Sequence, residues 1–280
     1  MRFLSFIAGG TTQFGALIDE RVVSLSERMP EYASLRSVLA AGALVRAADI
    51  AASSSADYEL ADVQLLPPIP DPGKIICIDG NYRDSGPPAE FPGVYLRTRE
   101  SLVGHGRALL RPPESNQLDY EGEIALVMGR GGRRIAAADA LKHVAGMTLV
   151  NEGTVRDWIR AGAVSIAPGK NFEASGAMGP WLVSAEECPP GETLTLTTRV
   201  NGELRQQAAT DQLRHGFAEL ISYVSTFMPL NPGDVIATGS PAGCGASLAP
   251  PRFLAAGDQV EITVTGLGTL ANRIEDERVD

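Results

Sequence analysis

Two glutamates that lead into an apolar strand constrain the fold of this chain more than any other feature. Glu121 and Glu123 precede residues 124–128, Ile-Ala-Leu-Val-Met, which are apolar at every position. Because alternate side chains of a strand point to opposite faces, this strand must be covered on both sides, and the two glutamates share one face. Neighbouring carboxylates that enter a core repel each other and lose hydration, and a divalent cation would offset both effects.

Oxygen ligands alone favour Mg²⁺, Mn²⁺ or Ca²⁺ over Zn²⁺ at such a site. The alternative is a solvated strand edge with two ordinary surface glutamates. A third carboxylate nearby would favour the metal site over this alternative. Glu152 follows an apolar strand at residues 147–150 and precedes a short helix predicted at 154–160, and strand ends are where sheet proteins build their sites. The alternative for Glu152 is that it only caps this helix, whose N-terminus favours negative charge.

Two glycine-containing segments supply groups that can meet an anion. Lys170 stands in Pro-Gly-Lys-Asn, where its ammonium could hold a substrate carboxylate or polarise a carbonyl; the alternative is an exposed surface lysine. Thr238 and Gly239 open a glycine-rich segment, 238–245, whose backbone N–H groups can approach an anion; the alternative is a plain turn. Tyr82 and Arg83 follow another predicted strand, and a polar turn is equally compatible with that segment.

The composition argues against several classes of partner. The 280 residues carry a formal net charge of −10, which disfavours binding to nucleic acid or to an anionic membrane, since both require a basic face. The three cysteines are far apart in the sequence, so we expect reduced thiols in a cytoplasmic protein rather than disulfides. No apolar run reaches membrane-spanning length, and we expect no signal peptide.

The order of the predicted elements indicates two parts. Residues 1–70 are predicted to form a small α/β module, with short strands at 3–7, 14–18 and 21–25 and a helix at 35–50, and four prolines within 65–74 mark its end. Residues 71–280 are rich in predicted strands, at 74–78, 123–128, 147–151, 194–200, 234–238 and 259–264, with a helix at 213–227. Residues 86–97 and 163–179 are predicted to be irregular.

Seven sequence blocks in a fixed order resemble the fumarylacetoacetate hydrolase family, in particular its acylpyruvase and 2-hydroxyhepta-2,4-diene-1,7-dioate isomerase branch. The blocks span residues 74–245 and read KIICIDGNYRD, SLVGHG, LDYEGEIALVMG, VNEGTVRDW, PGKNFEASGAMGPWL, NGELRQ and NPGDVIATGSPAGCG. The resemblance implies an α+β, mainly β fold: a mixed β-sheet roll with a small N-terminal module. It also implies a homodimer, one bound Mg²⁺ or Mn²⁺ per subunit and a small carboxylic acid as substrate.

The resemblance assigns roles to individual positions. Glu121 and Glu123 match the family's paired metal ligands, and Glu152 matches its third ligand. Lys170 matches the lysine beside the substrate, so we expect it to act in catalysis and not in folding. The positions that the resemblance places around the substrate are Tyr82, Arg83, His105, Asn171, Gln206, Thr238 and Gly239.

Two positions depart from the family pattern. The third ligand is normally aspartate, and the extra methylene of Glu152 moves its carboxylate outward by about 1.5 Å. A histidine normally follows Asn-Tyr-Arg-Asp and activates water, but Ser85 stands there, and serine is no general base near neutral pH. Asp79 and Glu90 are therefore the candidate replacements, with His105 less suited because its segment accompanies the usual base.

The chemistry of the family leaves the reaction open. We expect a metal-dependent hydrolase that cleaves a C–C bond in a 2,4-dioxo, acylpyruvate-like acid. The alternatives are a 2-oxo diacid decarboxylase or a keto–enol tautomerase, which need no base for water, and a non-catalytic homologue that binds a dicarboxylate. The expected catalytic positions are Lys170, Glu90, Asp79 and Ser85.

Overall fold

The computed structural model describes residues 1–85, 90–161 and 165–279, except for the side chains at 160 and 161. Its strands are, in chain order, Arg2–Ala8 (β1), Thr11–Ile18 (β2), Arg21–Ser24 (β3), Tyr58–Glu59 (β4), Gln64–Leu65 (β5), Ile75–Asp79 (β6), Gly93–Arg97 (β7), Leu102–Val103 (β8), Leu109–Arg111 (β9), Leu118–Asp119 (β10), Gly122–Met128 (β11), Val144–Asn151 (β12), Thr154–Val155 (β13), Gly176–Ser184 (β14), Thr195–Val200 (β15), Glu203–Ala209 (β16), Val235–Ala237 (β17), Gln259–Val264 (β18) and Gly268–Asp276 (β19). The α-helices are Leu35–Ala40 (α1), Leu44–Ala52 (α2), Ala137–Ala140 (α3), Arg156–Ala161 (α4), Ala167–Lys170 (α5) and Phe217–Phe227 (α6). No helix within the described ranges has the length and apolar character needed to cross a membrane.

Twelve strands of the described residues form one mixed sheet. The order across it is β4-β3-β2-β1-β14-β12-β11-β17-β6-β7, while β5 pairs with β1 and β8 pairs with β14. A second sheet has the order β16-β15-β18-β19-β9, and β10 pairs with β13. This architecture confirms the mixed β-sheet roll expected from the sequence.

Strand β11 lies inside the large sheet, antiparallel to both β12 and β17, and is buried along its whole length. Ile124 and Leu126 pack into a core formed with the second sheet and α6. Ala125 and Val127 pack into a separate core formed with α1, α2 and the N-terminal strands. Because side chains alternate along a strand, Glu123 shares the face of Ala125. The carboxylates therefore enter this second core at its end.

Two predicted helices are shorter in the structure. The helix expected at 35–50 is wrong as a single element, because Gly42, at φ +65°, follows the end of α1 and the chain restarts as α2 at Leu44. The helix expected at 213–227 begins only at Phe217. Asn81 holds the backbone N–H groups of Arg214 and His215 and so keeps them out of the helix.

Both segments predicted to be irregular contain regular structure. Residues 93–97 form β7, which pairs antiparallel with β6 at the edge of the large sheet. Within 163–179, α5 ends at Lys170 and β14 begins at Gly176. The short helix expected at 154–160 begins at Arg156, because the two residues before it pair with β10 as β13.

The N-terminal strands extend the large sheet and do not form one of their own, because β1 pairs with β14. The division at residue 70 stays a prediction, since a shared sheet and a separate module are compatible. The three cysteines are free, as expected.

Candidate active site

Close backbone contacts position the two glutamates at the start of β11. The N–H of Glu121 donates to the Asn151 side chain at 3.1 Å, and the N–H of Gly122 donates to Gln206 Oε1 at 3.0 Å. A Cβ on Gly122 would lie 2.2 Å from Thr198 Oγ1, so only glycine fits between the two glutamates. The spacing of the paired carboxylates therefore follows from how tightly β11 packs on the second sheet.

The third glutamate arrives from β12. The N–H of Glu152 donates to the Glu121 carbonyl at 2.8 Å, and a Cβ on the next residue, Gly153, would lie 1.7 Å from Ser175 O. Glu121, Glu123 and Glu152 are all buried and offer oxygens that lie within 4.8 Å of one another. The cluster predicted from the sequence thus exists as a compact group of carboxylates, which we call the glutamate triad.

Two cations balance Glu121. Lys170 Nζ lies 2.7 Å from one Glu121 oxygen and 3.3 Å from Glu152, and Arg156 lies 2.5 Å from the other Glu121 oxygen. Burial would raise the pKa of Glu121, but Lys170 and Arg156 outweigh it and hold that pKa at about 2. Lys170 is itself only 4% exposed, which rules out the alternative of an exposed surface lysine. Its role in catalysis stays a prediction, and we expect its buried ion pairs to contribute to stability as well.

Tyr95 and Arg97 on β7 support Glu152. The Tyr95 hydroxyl lies 2.5 and 2.6 Å from the two Glu152 carboxylate oxygens. Arg97 is 3.8 Å from one of them and donates to Gly153 O at 2.9 Å. Because residues two apart on a strand share a face, β7 directs both side chains at Glu152.

The negative charge of the Glu123 carboxylate is poorly compensated by its surroundings. Among the described residues, the hydrogen bond to its carboxylate comes from the backbone N–H of Gly239, at 2.8 Å. Burial and the charges of Glu152 and Glu121 raise the pKa of Glu123 well above its usual value, and the Gly239 donor does not offset them. Within the described chain, the triad and the buried Asp119 face only three cationic side chains, those of Lys170, Arg97 and Arg156. The site therefore fits one further cation, and its all-oxygen donors suit Mg²⁺ or Mn²⁺.

Asp119 fastens the glycine-rich segment to the triad. Its carboxylate is fully buried and accepts hydrogen bonds from the backbone N–H groups of Gly245 and Ala246, at 2.7 and 3.0 Å. It also accepts from Arg156 Nε at 2.8 Å, and Arg156 in turn pairs with Glu121. The position of this backbone is thus tied, through Asp119 and Arg156, to Glu121.

Two other predicted residues, Asp79 and Tyr82, have pKa values on which the charges of the triad act. Asp79 is exposed at the end of β6. Partial loss of water raises its pKa, the charges of Glu121 and Glu152 add to this, and Lys170 opposes it. Burial raises the pKa of Tyr82 and the charge of Glu123 adds to it. Asp79 and Tyr82 are therefore close enough to the triad for its charges to act on them.

Several predicted residues hold the scaffold together. The Gln206 amide accepts a hydrogen bond from Gly122 N and donates one to Pro241 O. Thr238 donates its hydroxyl to Ile124 O. Asn171 accepts from Thr98 N and donates to Ala167 O. Ser85 donates its hydroxyl to Tyr82 O at 2.7 Å and so closes a turn. These four polar groups are committed to protein partners.

His105, Arg83 and Glu90 are not brought into the triad. His105 Nδ1 accepts from Ala271 N, and its ring lines a surface cavity of about 750 Å³ that no triad residue lines. Arg83 and Glu90 are exposed. The loop that we expected to carry Glu90 over the site falls largely on residues 86–89, which lie outside the described residues.

Sequence reasoning missed four residues that contact the triad or support it: Tyr95, Arg97, Asp119 and Arg156. The period-two spacing of Tyr95 and Arg97 was a usable signal, hidden because their segment was predicted to be irregular. Asp119 lies two residues before Glu121 and four before Glu123, a spacing that predicts the same face of an extended strand. Arg156 had no local signal, since its partners lie more than 30 residues away.

The fold and the triad define the class of site: a buried, oxygen-only site of the kind that hard divalent cations occupy. Comparison with known proteins identifies the family. The profile "Fumarylacetoacetate (FAA) hydrolase C-terminal" matches residues 74–275, so the chain belongs to the fumarylacetoacetate hydrolase family, whose members are enzymes.

Named relatives carry different activities. The chain is 42% identical over 226 residues to the oxaloacetate tautomerase YisK of Bacillus subtilis, covering 78% of this chain and 75% of that protein. A probable 2-hydroxyhepta-2,4-diene-1,7-dioate isomerase from Mycobacterium abscessus has a TM-score of 0.84 at 34% identity, with both chains fully covered. The maleylpyruvate hydrolase of Sphingobium sp. SYK-6, solved with manganese(II) and pyruvate, has a TM-score of 0.84 at 26% identity, covering 99% of this chain and 100% of that one.

Proposed function

We propose that this protein is a metal-dependent keto–enol tautomerase of a small 2-oxo dicarboxylic acid of the oxaloacetate type. The observation that carries the proposal is Ser85, whose hydroxyl is bound within its own turn at the position where the family resemblance predicts a water-activating histidine. Hydrolysis needs a base for water, whereas tautomerisation moves a proton between carbon and oxygen of one molecule. The 42% identity with an oxaloacetate tautomerase supports the same reaction.

The triad and its neighbours divide the work. The glutamates would hold a divalent cation, which supplies Lewis-acid stabilisation of negative charge on a substrate oxygen when bound. Lys170 brings a buried ammonium to the same place and can hold a substrate carboxylate. Asp79, with its raised pKa, is the candidate to take a proton from the substrate carbon and to return it.

The test uses purified, chelator-treated protein with oxaloacetate, and follows loss of the enol by ultraviolet absorbance. We expect added Mg²⁺ or Mn²⁺ to accelerate the enol–keto conversion. Asp79→Asn should lower this rate by roughly 10²–10⁴-fold while the protein still binds Mn²⁺. Asp62→Asn, at an exposed position in the N-terminal part, is the matched control and should behave as wild type. A metal-loaded protein without effect on the conversion contradicts the proposal.

The second candidate is the C–C hydrolase of an acylpyruvate-like acid. It is favoured by the resemblance to a maleylpyruvate hydrolase whose structure contains manganese(II) and pyruvate. The same preparations should be assayed on acylpyruvates and for decarboxylation of oxaloacetate. Acylpyruvate cleavage that is faster than tautomerisation would make hydrolysis the main activity.

We also propose a homodimer, on the family resemblance. The exposed Phe91 and Phe227, which both contact the half-buried Tyr223, provide apolar surface on the described chain. Light scattering should give twice the chain mass of 29.5 kDa. A mass of one chain at working concentrations contradicts this expectation.

A further inference from the structure

The Tyr95–Glu152 contact differs from the other contacts of the triad. A phenol has one proton to donate, yet the Tyr95 oxygen is almost equally close to both carboxylate oxygens, at 2.5 and 2.6 Å. The Tyr95 hydroxyl therefore lies midway between the two oxygens of Glu152 and fixes both the orientation and the position of that carboxylate. Charge-assisted hydrogen bonds of this length are the strong ones in proteins.

Other donors near Glu152 are shared or committed elsewhere. Lys170 lies 3.3 Å from Glu152 but closer, at 2.7 Å, to Glu121. Arg97 lies 3.8 Å from the carboxylate and directs its nitrogens to Gly153 O, Ser101 and Ser175. The buried Cys77 thiol also meets Glu152, but a thiol is a weak donor. Among the described residues, Tyr95 therefore makes the short, strong hydrogen bond to this carboxylate.

Tyr95 also contacts the cation that Glu152 shares. Lys170 Nζ lies 5.3 Å from the centre of the Tyr95 ring, a distance at which the ring face attracts an ammonium. One side chain on β7 therefore orients the carboxylate through its hydroxyl and contacts the lysine through its ring.

We propose that Tyr95 is a positioning residue that holds Glu152 as a metal ligand, and that this hydroxyl is matched to the length of a glutamate at position 152. The inference rests on the metal site of the proposed function. Removal of a hydrogen bond to a metal ligand typically weakens metal binding 10–100-fold. An aspartate at 152 would withdraw its carboxylate by about 1.5 Å, which takes it out of hydrogen-bond reach of the hydroxyl.

The matching requires that the two positions be coupled, which a double-mutant cycle measures. The four proteins are wild type, Tyr95→Phe, Glu152→Asp and the double variant, each treated with chelator and titrated with Mn²⁺ while free Mn²⁺ is followed by electron paramagnetic resonance. We expect Tyr95→Phe to raise the Mn²⁺ Kd about 10–100-fold and to change the spectrum of bound Mn²⁺. In the Glu152→Asp background the same substitution should change Kd by less than about threefold.

The control is Tyr58→Phe, which removes a hydroxyl that meets Gln13, remote from the triad, and which should leave Kd unchanged. Two results overturn the proposal: a folded Tyr95→Phe protein that binds Mn²⁺ as wild type does, and an equal loss of affinity in both backgrounds. Wild type that binds no Mn²⁺ overturns this inference and the proposed metal site together. A coupled loss of affinity in a protein that does not act on oxaloacetate supports the role of Tyr95 and removes only the proposed reaction.

Discussion

Glu123 shows at the residue scale why the triad calls for a cation. Its folded-state pKa lies well above the ordinary value of 4.5, so the metal-free folded protein binds more protons than the unfolded chain from about that pH upward. The contribution of Glu123 to stability is therefore complete at low pH and declines as the pH rises. Glu121 has the opposite sign, but its contribution changes only between 4.5 and about 2.

The first prediction follows from that sign. In chelator-treated protein, wild type should lose stability relative to Glu123→Gln as the pH rises from 5 to 8. The variant should be more stable near pH 7 by roughly 1–3 kcal/mol, since it lacks the carboxyl that ionises more readily in the unfolded chain than in the folded protein. Thermal unfolding of both proteins across this range measures the difference. A difference that grows in favour of wild type at high pH contradicts the prediction.

The second prediction concerns Lys170, whose ammonium pairs with two buried carboxylates. Lys170→Met should destabilise the metal-free protein by roughly 3 kcal/mol, because removal of one partner leaves buried charge without compensation, and Mn²⁺ should restore most of the loss. Turnover should fall by about two orders of magnitude or more.

Lys142→Met is the control for Lys170, since Lys142 is an exposed lysine paired with the exposed Asp139, and its unfolding should match wild type. Unchanged metal-free stability in Lys170→Met, with turnover lost, would restrict Lys170 to contact with the substrate.

At the scale of elements, the glycine-rich segment after β17 is the most constrained. Gly239 has φ +100°, its N–H binds Glu123, and a Cβ there would lie 2.8 Å from Asn81 Cβ. Gly239→Ala should therefore cost the roughly 1–2 kcal/mol of a left-handed residue and a further ~1–3 kcal/mol from the displaced hydrogen bond.

Gly10 separates these two contributions. It has φ +77° and nothing within 4 Å of a Cβ, so Gly10→Ala should show the conformational part alone. Denaturant unfolding measures both variants, and Mn²⁺ binding should weaken only in Gly239→Ala. Equal effects of the two substitutions would remove the special constraint at Gly239.

The strands could largely be predicted from the sequence, because alternation and buried apolar runs are local. The Glu121–Glu123 pair and Glu152 at the end of β12 were found in the same way, and the burial of all three side chains confirms that they enter the core. Tyr95 was missed because β7 was predicted to be irregular and because its partner lies 57 residues further along the chain. Arg156 likewise acts through contacts between separate segments, which no local pattern contains. The spacing of Asp119 from Glu121 predicts its face but not its partners.

At the scale of the whole molecule, the two predicted parts share a core. Phe3, Leu35 and Val38 from the first 70 residues pack in one cluster with Ala125 and Val127 of β11. A cluster that spans the boundary makes unfolding of either part expose apolar surface of the other. The N-terminal part is therefore a structural support of the strand that carries the glutamates.

The prediction at this scale is a single cooperative unfolding transition for the full chain, with circular dichroism and tryptophan fluorescence coincident. A fragment of residues 71–280 should fail to fold, because the edge of β14 that pairs with β1 would be bare. Two separated transitions, or a fragment with native-like dispersion in its NMR spectrum, would show that the parts are independent.

The ion pairs of Lys170 and Arg156 have a consequence for how a cation would reach the proposed metal site. Since Glu121 and Glu152 already have counter-charges from the chain itself, we expect the chain to fold without a bound cation. On the proposed metal site, a cation would then bind to protein that has already folded, and competition among the available cations would decide which one occupies the site. Oxygen donors bind hard ions readily but rank transition metals by their general order of affinity, so the supply of manganese relative to magnesium would decide which ion such a site receives.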